Sequence, residues 1–267
     1  MIYKLCINLI KRKIENYSKN KIINTIPNIK EVIKETKSTG VSYVDMWCLY
    51  RDLKRKKPLC VLECGPGVST YIISYALYEN YKENNVESEL ISLEENELFF
   101  KGLDKCVFSK FKDKTKLILT KKIDKVYSFW IGQGYENIPK KDYDYIFIDG
   151  PNTYSHKFKN KTFNFDLIEI INISSKNING LIDERLSTSF IYREIFGKKI
   201  NYNFLTNITS INNVNKNDLS KEKIKFTKID GKIIDAPINP IRYNLLRRRL
   251  EIIKDLKKNK KVKVIKF

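Results

Sequence analysis

Short apolar runs, each closed by an acid or a turn, recur through the middle of the chain. Leu59-Cys60-Val61-Leu62 lies between Pro58 and Glu63. It is too short for a buried helix and predicts a buried parallel strand over 59–63. ELISL (89–93), KLILT (116–120), YDYIFI (143–148) and GLI (180–182) repeat the pattern. Between them the spacing turns helical. Over 69–81, Ile72, Ile73, Ala76, Leu77 and Tyr81 share a face, and further helices are predicted over 96–103 and 160–173. Strands alternating with helices predict an α/β protein: a doubly wound, mostly parallel sheet with helices on both faces. After Gly197 the period changes. INYNFLTNIT (200–209) and KIKFTKID (223–230) predict an antiparallel C-terminal strand pair joined by an asparagine-rich loop.

Three segments follow from this pattern. Residues 1–57 form a helical N-terminal cap, broken at Pro27. Its stretch VSYVDMWCLYRDL (41–53) is a helix with Ser42 as cap, laid over the edge of the site, and the lysines of 54–57 link it to the first strand. Residues 58–235 are the α/β domain. Residues 236–267 are a basic C-terminal helical tail with RRR at 247–249 and KKNKK at 257–261.

Charge adds a choice of partner. Fifty-one basic residues against 31 acidic ones leave +20. Such an excess suits a nucleic acid or an anionic membrane surface. Only nine of the bases are arginine, whose fork is favoured for phosphate reading, so nucleic acid is the disfavoured partner. The basic ends suit peripheral contact with an anionic membrane. No run nears the ~20 apolar residues of a membrane span. Cys6, Cys48, Cys60, Cys64 and Cys106 form no CxxC pair. Scattered cysteines of odd number predict reduced, buried thiols and a cytoplasmic protein.

Candidate chemistry gathers at the strand ends. Glu63, Glu94, Asp149 and Asp183 each follow an apolar run. In an open parallel sheet, ligands bind at the carboxyl ends of the strands, where strand order reverses. Gly65 and Gly67 follow Glu63 and permit close backbone approach; Ser69 and Thr70 suit the start of a helix. The turn lacks the lysine of a phosphate loop, and Thr70 stands where a nicotinamide fingerprint has its third glycine. Glu63 would repel a pyrophosphate. A nucleoside-like ligand bearing an amine fits better.

ECGPGVST (63–70) resembles the first motif of class I S-adenosylmethionine-dependent methyltransferases. Glu94, in ISLEE, is similar to that family's ribose-binding acid. YDYIFIDGPNTY (143–154) resembles the fourth motif of a branch holding small-molecule and sugar O-methyltransferases, where IDGxHxY is usual. NGLIDE (179–184) is similar to the fifth strand. The resemblance covers about residues 58–230 and implies a Rossmann-like methyltransferase fold with S-adenosyl-L-methionine as cofactor. By resemblance, Glu63, Gly65, Gly67, Ser69, Thr70, Glu94 and Asp149 bind the cofactor, and Asp149 sits nearest the reactive methyl. The acceptor is then a hydroxyl of a small molecule or a glycan.

Two positions depart from the family pattern. Asn179 replaces a glycine, and Asn152 replaces the histidine of the fourth motif. His156, the only histidine, is then the remaining catalytic candidate beside Asp149. In branches that bind a divalent cation, acids like Asp149, Asp183 and Glu184 hold it. A helix-capping role for Asp183 and Glu184 is preferred, and no metal site is assigned. Arg185 and Arg193 are alternative clamps for an acidic group. The segment DGPN after strand four lacks the DPPY motif of base methylation. A non-catalytic cofactor-binding module, a nucleic-acid-associated methyltransferase and a nicotinamide enzyme are the competing readings.

Overall fold

The computed structural model describes residues 2–36, 42–104, 111, 113–127, 130–155 and 160–219. Three helices come first: α1 (Ile2–Thr25), α2 (Ile29–Glu35) and α3 (Tyr43–Lys56). Alternation follows, with β1 (Cys60–Cys64), α4 (Val68–Asn84), β2 (Glu89–Glu94), α5 (Glu97–Asp104) and β3 (Thr115–Leu119). Next are β4 (Lys122–Tyr127), β5 (Trp130–Tyr135), β6 (Tyr145–Ile148), β7 (Tyr154–Ser155), β8 (Asn160–Lys161) and β9 (Phe163–Asn164). The described chain ends with α6 (Asp166–Ile173), β10 (Ile178–Asp183), α7 (Leu186–Phe196), β11 (Ile200–Asn203), β12 (Ile208–Val214) and a short 3₁₀ turn.

Seven strands form the central sheet in the order β11-β12-β10-β6-β1-β2-β3. All neighbours from β10 through β6, β1 and β2 to β3 are parallel, and β12 runs antiparallel to both β10 and β11. The sheet is therefore mostly parallel with an antiparallel end, as the sequence pattern predicts.

The period-two alternation of the strands sorts side chains to the two faces. On β6, Tyr145 and Phe147 pack with α3 and α4, while Ile146 and Ile148 pack with α6 and α7. The N-terminal helices thus complete one side of the core. The start of α3 is secured twice. Ser42 Oγ accepts from the Asp45 N–H (3.3 Å), and Glu15 of α1 accepts from the N–H groups of Tyr43 (3.0 Å) and Val44 (3.2 Å). Carboxylates are stabilised at a helix N-terminus by the unpaired N–H groups there. Lysines 54 and 56 close the last turn, Lys54 donating to Glu83 and Lys56 to Asn179 Oδ1.

The structure corrects three expectations. The stretch 160–173 is helical only from Asp166. Phe163 and Asn164 instead pair with Gly132 and Gln133 of β5, an extension of a β4–β5 hairpin absent from the sequence reading. The reason is packing against glycine: a Cβ on Gly132 would lie 2.9 Å from the Phe163 ring, and one on Gly134 2.5 Å from Asp166 Oδ1. Those slots hold Phe163 and Asn164 extended, and the i, i+2 spacing of Phe163 and Phe165 is that of a strand. Second, 200–209 is not one strand. A turn at 204–207 splits it, and 208–214 supplies the antiparallel partner; 223–230 and the tail lie outside the described residues. Third, not every thiol is buried, since Cys6 is exposed.

Gly180 explains part of the NGLIDE departure. A Cβ there would lie 2.1 Å from the Ile146 carbonyl oxygen of β6. Asn179 beside it accepts from Lys56 Nζ (2.9 Å) and the Asn213 N–H (3.2 Å), tying α3 and β12 to β10. Gly180→Ala should therefore destabilise the protein by about 1–3 kcal/mol in urea unfolding, the range for overpacking a tight core. An unchanged midpoint would contradict the close strand contact.

Candidate functional site

The strand order reverses between β1 and β6, and here their two loops cross backbone to backbone. Gly65 has φ +87°, and a Cβ on it would lie 2.7 Å from the Cα and N of Gly150. A Cβ on Gly150 would in turn lie 2.5 Å from Gly65 Cα. Both positions therefore exclude any side chain. The Cys64 carbonyl accepts from the N–H groups of Asp149 and Gly150, and Gly65 N–H donates to the Leu93 carbonyl (3.1 Å). Three strand ends are thereby bound into one rim.

Glu63 lies directly beneath this rim and is fully buried. Its Oε2 accepts from Thr70 (2.7 Å) and from Ser92 (2.6 Å), and the Ser69 hydroxyl bonds to the carboxylate as well. Thr70 Oγ1 also accepts from the Gly67 N–H (2.9 Å), closing the first turn of α4. Ser92 is the β2 residue in register with Glu63. The other carboxylate oxygen, Oε1, is buried without a hydrogen-bond partner. Burial pushes the Glu63 carboxyl up to about 7, against the pull of the three hydroxyls.

Above the rim opens a cleft of about 360 Å³ lined by Gly65, Pro66, Glu94, Glu95, Phe99, Asp149, Gly150, Pro151, Asn152 and Arg185. Glu94 is pushed up to about 7 by burial, although its carboxylate accepts from the Asn96 N–H (2.6 Å). Asp149 leaves 46% of its side chain open in this recess. The surrounding protein and Asp183 beside it raise its pKa, while Arg185 draws it down.

The floor loop is held from two sides. Arg185 donates to the carbonyls of Asp149 and Pro151. From the other side, Asn164 Nδ2 donates to the Gly150 carbonyl (3.1 Å) and to Asp166 Oδ2 (2.7 Å). Asp166 Oδ1 in turn accepts from the Tyr135 N–H (2.8 Å). The β4–β5 hairpin that the sequence pattern misses thus sets the position of the fourth-motif loop.

Of the sequence-predicted residues, Glu94, Gly65 and Asp149 line the cleft, and Glu63 stands just below it with Ser69 and Thr70 bonded to its carboxylate. Gly67, with φ 172°, is ordinary extended backbone at the head of α4. Asn152 lines the cleft, its Oδ1 accepting from the Tyr154 N–H (3.2 Å). His156 lies outside the described residues. Asp183 and Glu184 do not cap α7: the cap position is Arg185, without a side-chain bond, because Glu184 (φ +34°) accepts instead from Asn207 Nδ2 (3.0 Å). Arg185 lines the cleft while tying its loop. Arg193 reaches the Ile200 carbonyl (3.4 Å) and takes no part in the cleft.

Asp183 lies beside both Asp149 and Asp45, the latter from the first turn of α3, and Oδ1 of Asp183 and of Asp45 is buried without a hydrogen-bond partner. Burial and the Asp183 charge raise Asp45. Crowded carboxyls of this kind hold protons between them. Among the described residues, no group of three or more histidine, cysteine, aspartate or glutamate side chains is arranged to hold a metal ion. The sequence reading missed Asp45, Ser92, Phe99 and Asn164, because none of them lies in a recognisable motif. Only the register of Ser92 opposite Glu63 carried a signal.

Among solved structures, a Staphylococcus aureus protein ascribed to the caffeoyl-CoA O-methyltransferases aligns over 74% of this chain and 98% of its own, with 16% identity and a TM-score of 0.50. The chain has a Rossmann-like methyltransferase fold. A methyltransferase from Geobacter sulfurreducens aligns over 68% of this chain and 85% of its own, at 13% identity and a TM-score of 0.45. No family model and no curated protein matches the sequence. In this methyltransferase fold the cleft lies at the β1/β6 reversal, where α/β sheets bind their ligands.

Stability should follow the raised carboxyls. Below pH 7 the folded chain protonates Glu63, whereas the unfolded chain stays ionised down to about 4.5. Stability from this group therefore rises as pH falls from 8 to 5 and is lost as pH climbs through 7, by up to about 3 kcal/mol. We expect Glu63→Gln to flatten the dependence of melting temperature on pH across that window. An equally steep profile would show that Glu63 is not its source.

Proposed function

We propose that this protein is an S-adenosylmethionine-dependent methyltransferase whose acceptor is a hydroxyl of a small molecule or a sugar. The observation that carries the reading is the convergence of Glu63, Glu94 and Asp149 on one glycine-floored recess at the point of strand reversal. The residues fit the cofactor. The partnerless oxygen of Glu63 supplies buried negative charge beneath the rim, and Gly65 leaves the backbone bare on the cleft floor. A cationic sulfonium ligand suits an acidic cleft, and a phosphate does not.

The cofactor supplies an electrophilic methyl group. Glu94 offers two acceptor oxygens to ribose hydroxyls, and Phe99 beside it offers a ring for the base. Gly65 and Gly67 pass close to the amino-acid end, which Glu63 orients. Asp149, with its pKa raised by burial and by the neighbouring Asp183 charge, is suited to take the proton of an acceptor hydroxyl at a carboxylate oxygen. Arg185 and Asn164 hold the Asp149 loop in place and so preserve alignment, on which group transfer depends steeply.

Calorimetry with S-adenosylmethionine and S-adenosylhomocysteine tests binding, and labelled-methyl transfer to a panel of sugars and metabolites tests turnover. Glu63→Gln and Glu94→Ala should each weaken binding at least about tenfold. Affinity should rise from pH 6 to pH 8 as Glu63 and Glu94 ionise, both having been pushed up to about 7. Tight binding without transfer to any acceptor would favour a non-catalytic module. Failure to bind either compound would overturn the reading.

The same reading includes peripheral contact with an anionic membrane. Support comes from α1, where Leu9 and Ile10 are 53% and 45% exposed just ahead of Lys11, Arg12 and Lys13. An apolar patch beside a basic cluster suits the headgroup boundary. No helix among the described residues is long and apolar enough to cross a membrane. The full chain should sediment with phosphatidylglycerol vesicles and not with phosphatidylcholine ones, and Leu9→Asp/Ile10→Asp should abolish sedimentation. Equal sedimentation by the variant would remove α1 from the contact.

A further inference from the structure

A second, larger recess lies between α3 and the β10-β12-β11 end of the sheet, with a volume of about 570 Å³. That is within the size range of small-molecule sites. Its lining combines Leu181 and Ile208 from the strands with Arg51 and Arg55 from α3 and Asn203 and Thr206 from β11 and its turn.

Most polar groups of this wall are already paired with each other or with their neighbours, which singles out the Arg51 guanidinium, the Asn203 amide nitrogen and the Thr206 hydroxyl as its unspent donors among the described residues. Arg51 is exposed and makes no ion pair among the described residues. Asp52 is the single carboxylate among the lining residues, and it already accepts from Arg55 Nη2 (2.5 Å) and from the Tyr145 hydroxyl (2.8 Å). Lys54 is occupied by Glu83 (2.8 Å) and Glu79 (3.6 Å). Asn203 Oδ1 takes the N–H groups of Leu205 (3.0 Å) and Thr206 (3.4 Å), which leaves its amide nitrogen as a fixed donor. A guanidinium, an amide and a hydroxyl around an apolar strip recognise an anion attached to a hydroxylated ring. The fork binds a phosphate or carboxylate, and the apolar strip takes the ring face.

The recess also has a definite relation to the cleft. Leu181 precedes Asp183 by two residues of β10, about 7 Å along a strand. Cys48 of the lining lies one helical turn after Asp45 on α3. The Asp45–Asp183 pair therefore stands between the recess and Asp149. We propose that this recess binds the anionic part of a phosphorylated or carboxylated sugar, Arg51 being the group that selects for it. The proposal rests on the methyltransferase reading only in taking that sugar as the acceptor.

Titration calorimetry on the full chain at low salt would use glucose 6-phosphate and glucuronate as probes, with glucose and inorganic phosphate as controls. Saturable binding of at least one acidic sugar is expected, weaker for glucose and for phosphate alone. Arg51→Ala should weaken it about tenfold or more, and Asn203→Ala less. Neither variant should change S-adenosylhomocysteine binding, because neither residue touches the cleft. Inorganic phosphate binding as tightly as both sugars would overturn ring recognition. Absence of saturable binding by either acidic sugar, or binding indifferent to Arg51→Ala, would overturn the site. Acidic-sugar binding that depends on Arg51 in a chain that does not bind S-adenosylhomocysteine would leave the recess standing and sink the methyltransferase reading instead.

Discussion

The structure depends on one crossing of bare backbone. Gly65 and Gly150 meet with no room for a side chain on either, and this contact joins the ends of β1 and β6. Directly beneath it the Glu63 carboxylate is buried among the hydroxyls of Ser69, Thr70 and Ser92. Burying a carboxylate is costly unless its oxygens are paired, and here only one of them is. Burial raises its pKa and leaves one carboxylate oxygen without a partner beside the cleft. Local stability is given up at this point, and strongly perturbed carboxyls of this kind cluster at functional sites.

The rest of the fold holds this crossing still. The hairpin β4–β5, with β9, positions Asn164 and Asp166, and Asn164 grips the Gly150 carbonyl. Arg185, at the head of α7, grips the carbonyls on either side. The N-terminal helices contribute Asp45 to the carboxyl chain that runs through Asp183 to Asp149. The cap is thus coupled to the strand ends by crowded carboxyls as well as by apolar packing. The basic recess under α3 extends this relation to the outer edge of the sheet.

Local pattern and tertiary packing divide the explanation at identifiable residues. Every parallel strand of the central sheet was legible, because a short apolar run closed by an acid or a turn requires no partner to be recognised. The glycine bend and the acids Glu63, Glu94 and Asp149 were legible for the same reason: each stands at a fixed offset from its strand. The β4–β5 hairpin and β9 were not, since β9 lay inside the predicted helix over 160–173 and only the glycines of β5 that receive Phe163 and Asp166 show it to be a strand. Glu184 looked like a helix cap and turned out to serve Asn207, a residue of a turn whose position depends on how β11 and β12 fold back.

By itself, then, the sequence determined the α/β alternation, the glycine turn and the row of acids at the strand ends, because these follow from local periodicity and backbone sterics. Only the tertiary structure decided which hydroxyls surround Glu63, that Asp45 lies beside Asp183, and that Arg51 lines an open recess with no ion pair among the described residues. These are relations between residues far apart in the chain. They come into being when sheet register and helix docking bring distant side chains within bonding distance, and no spacing along the chain encodes them.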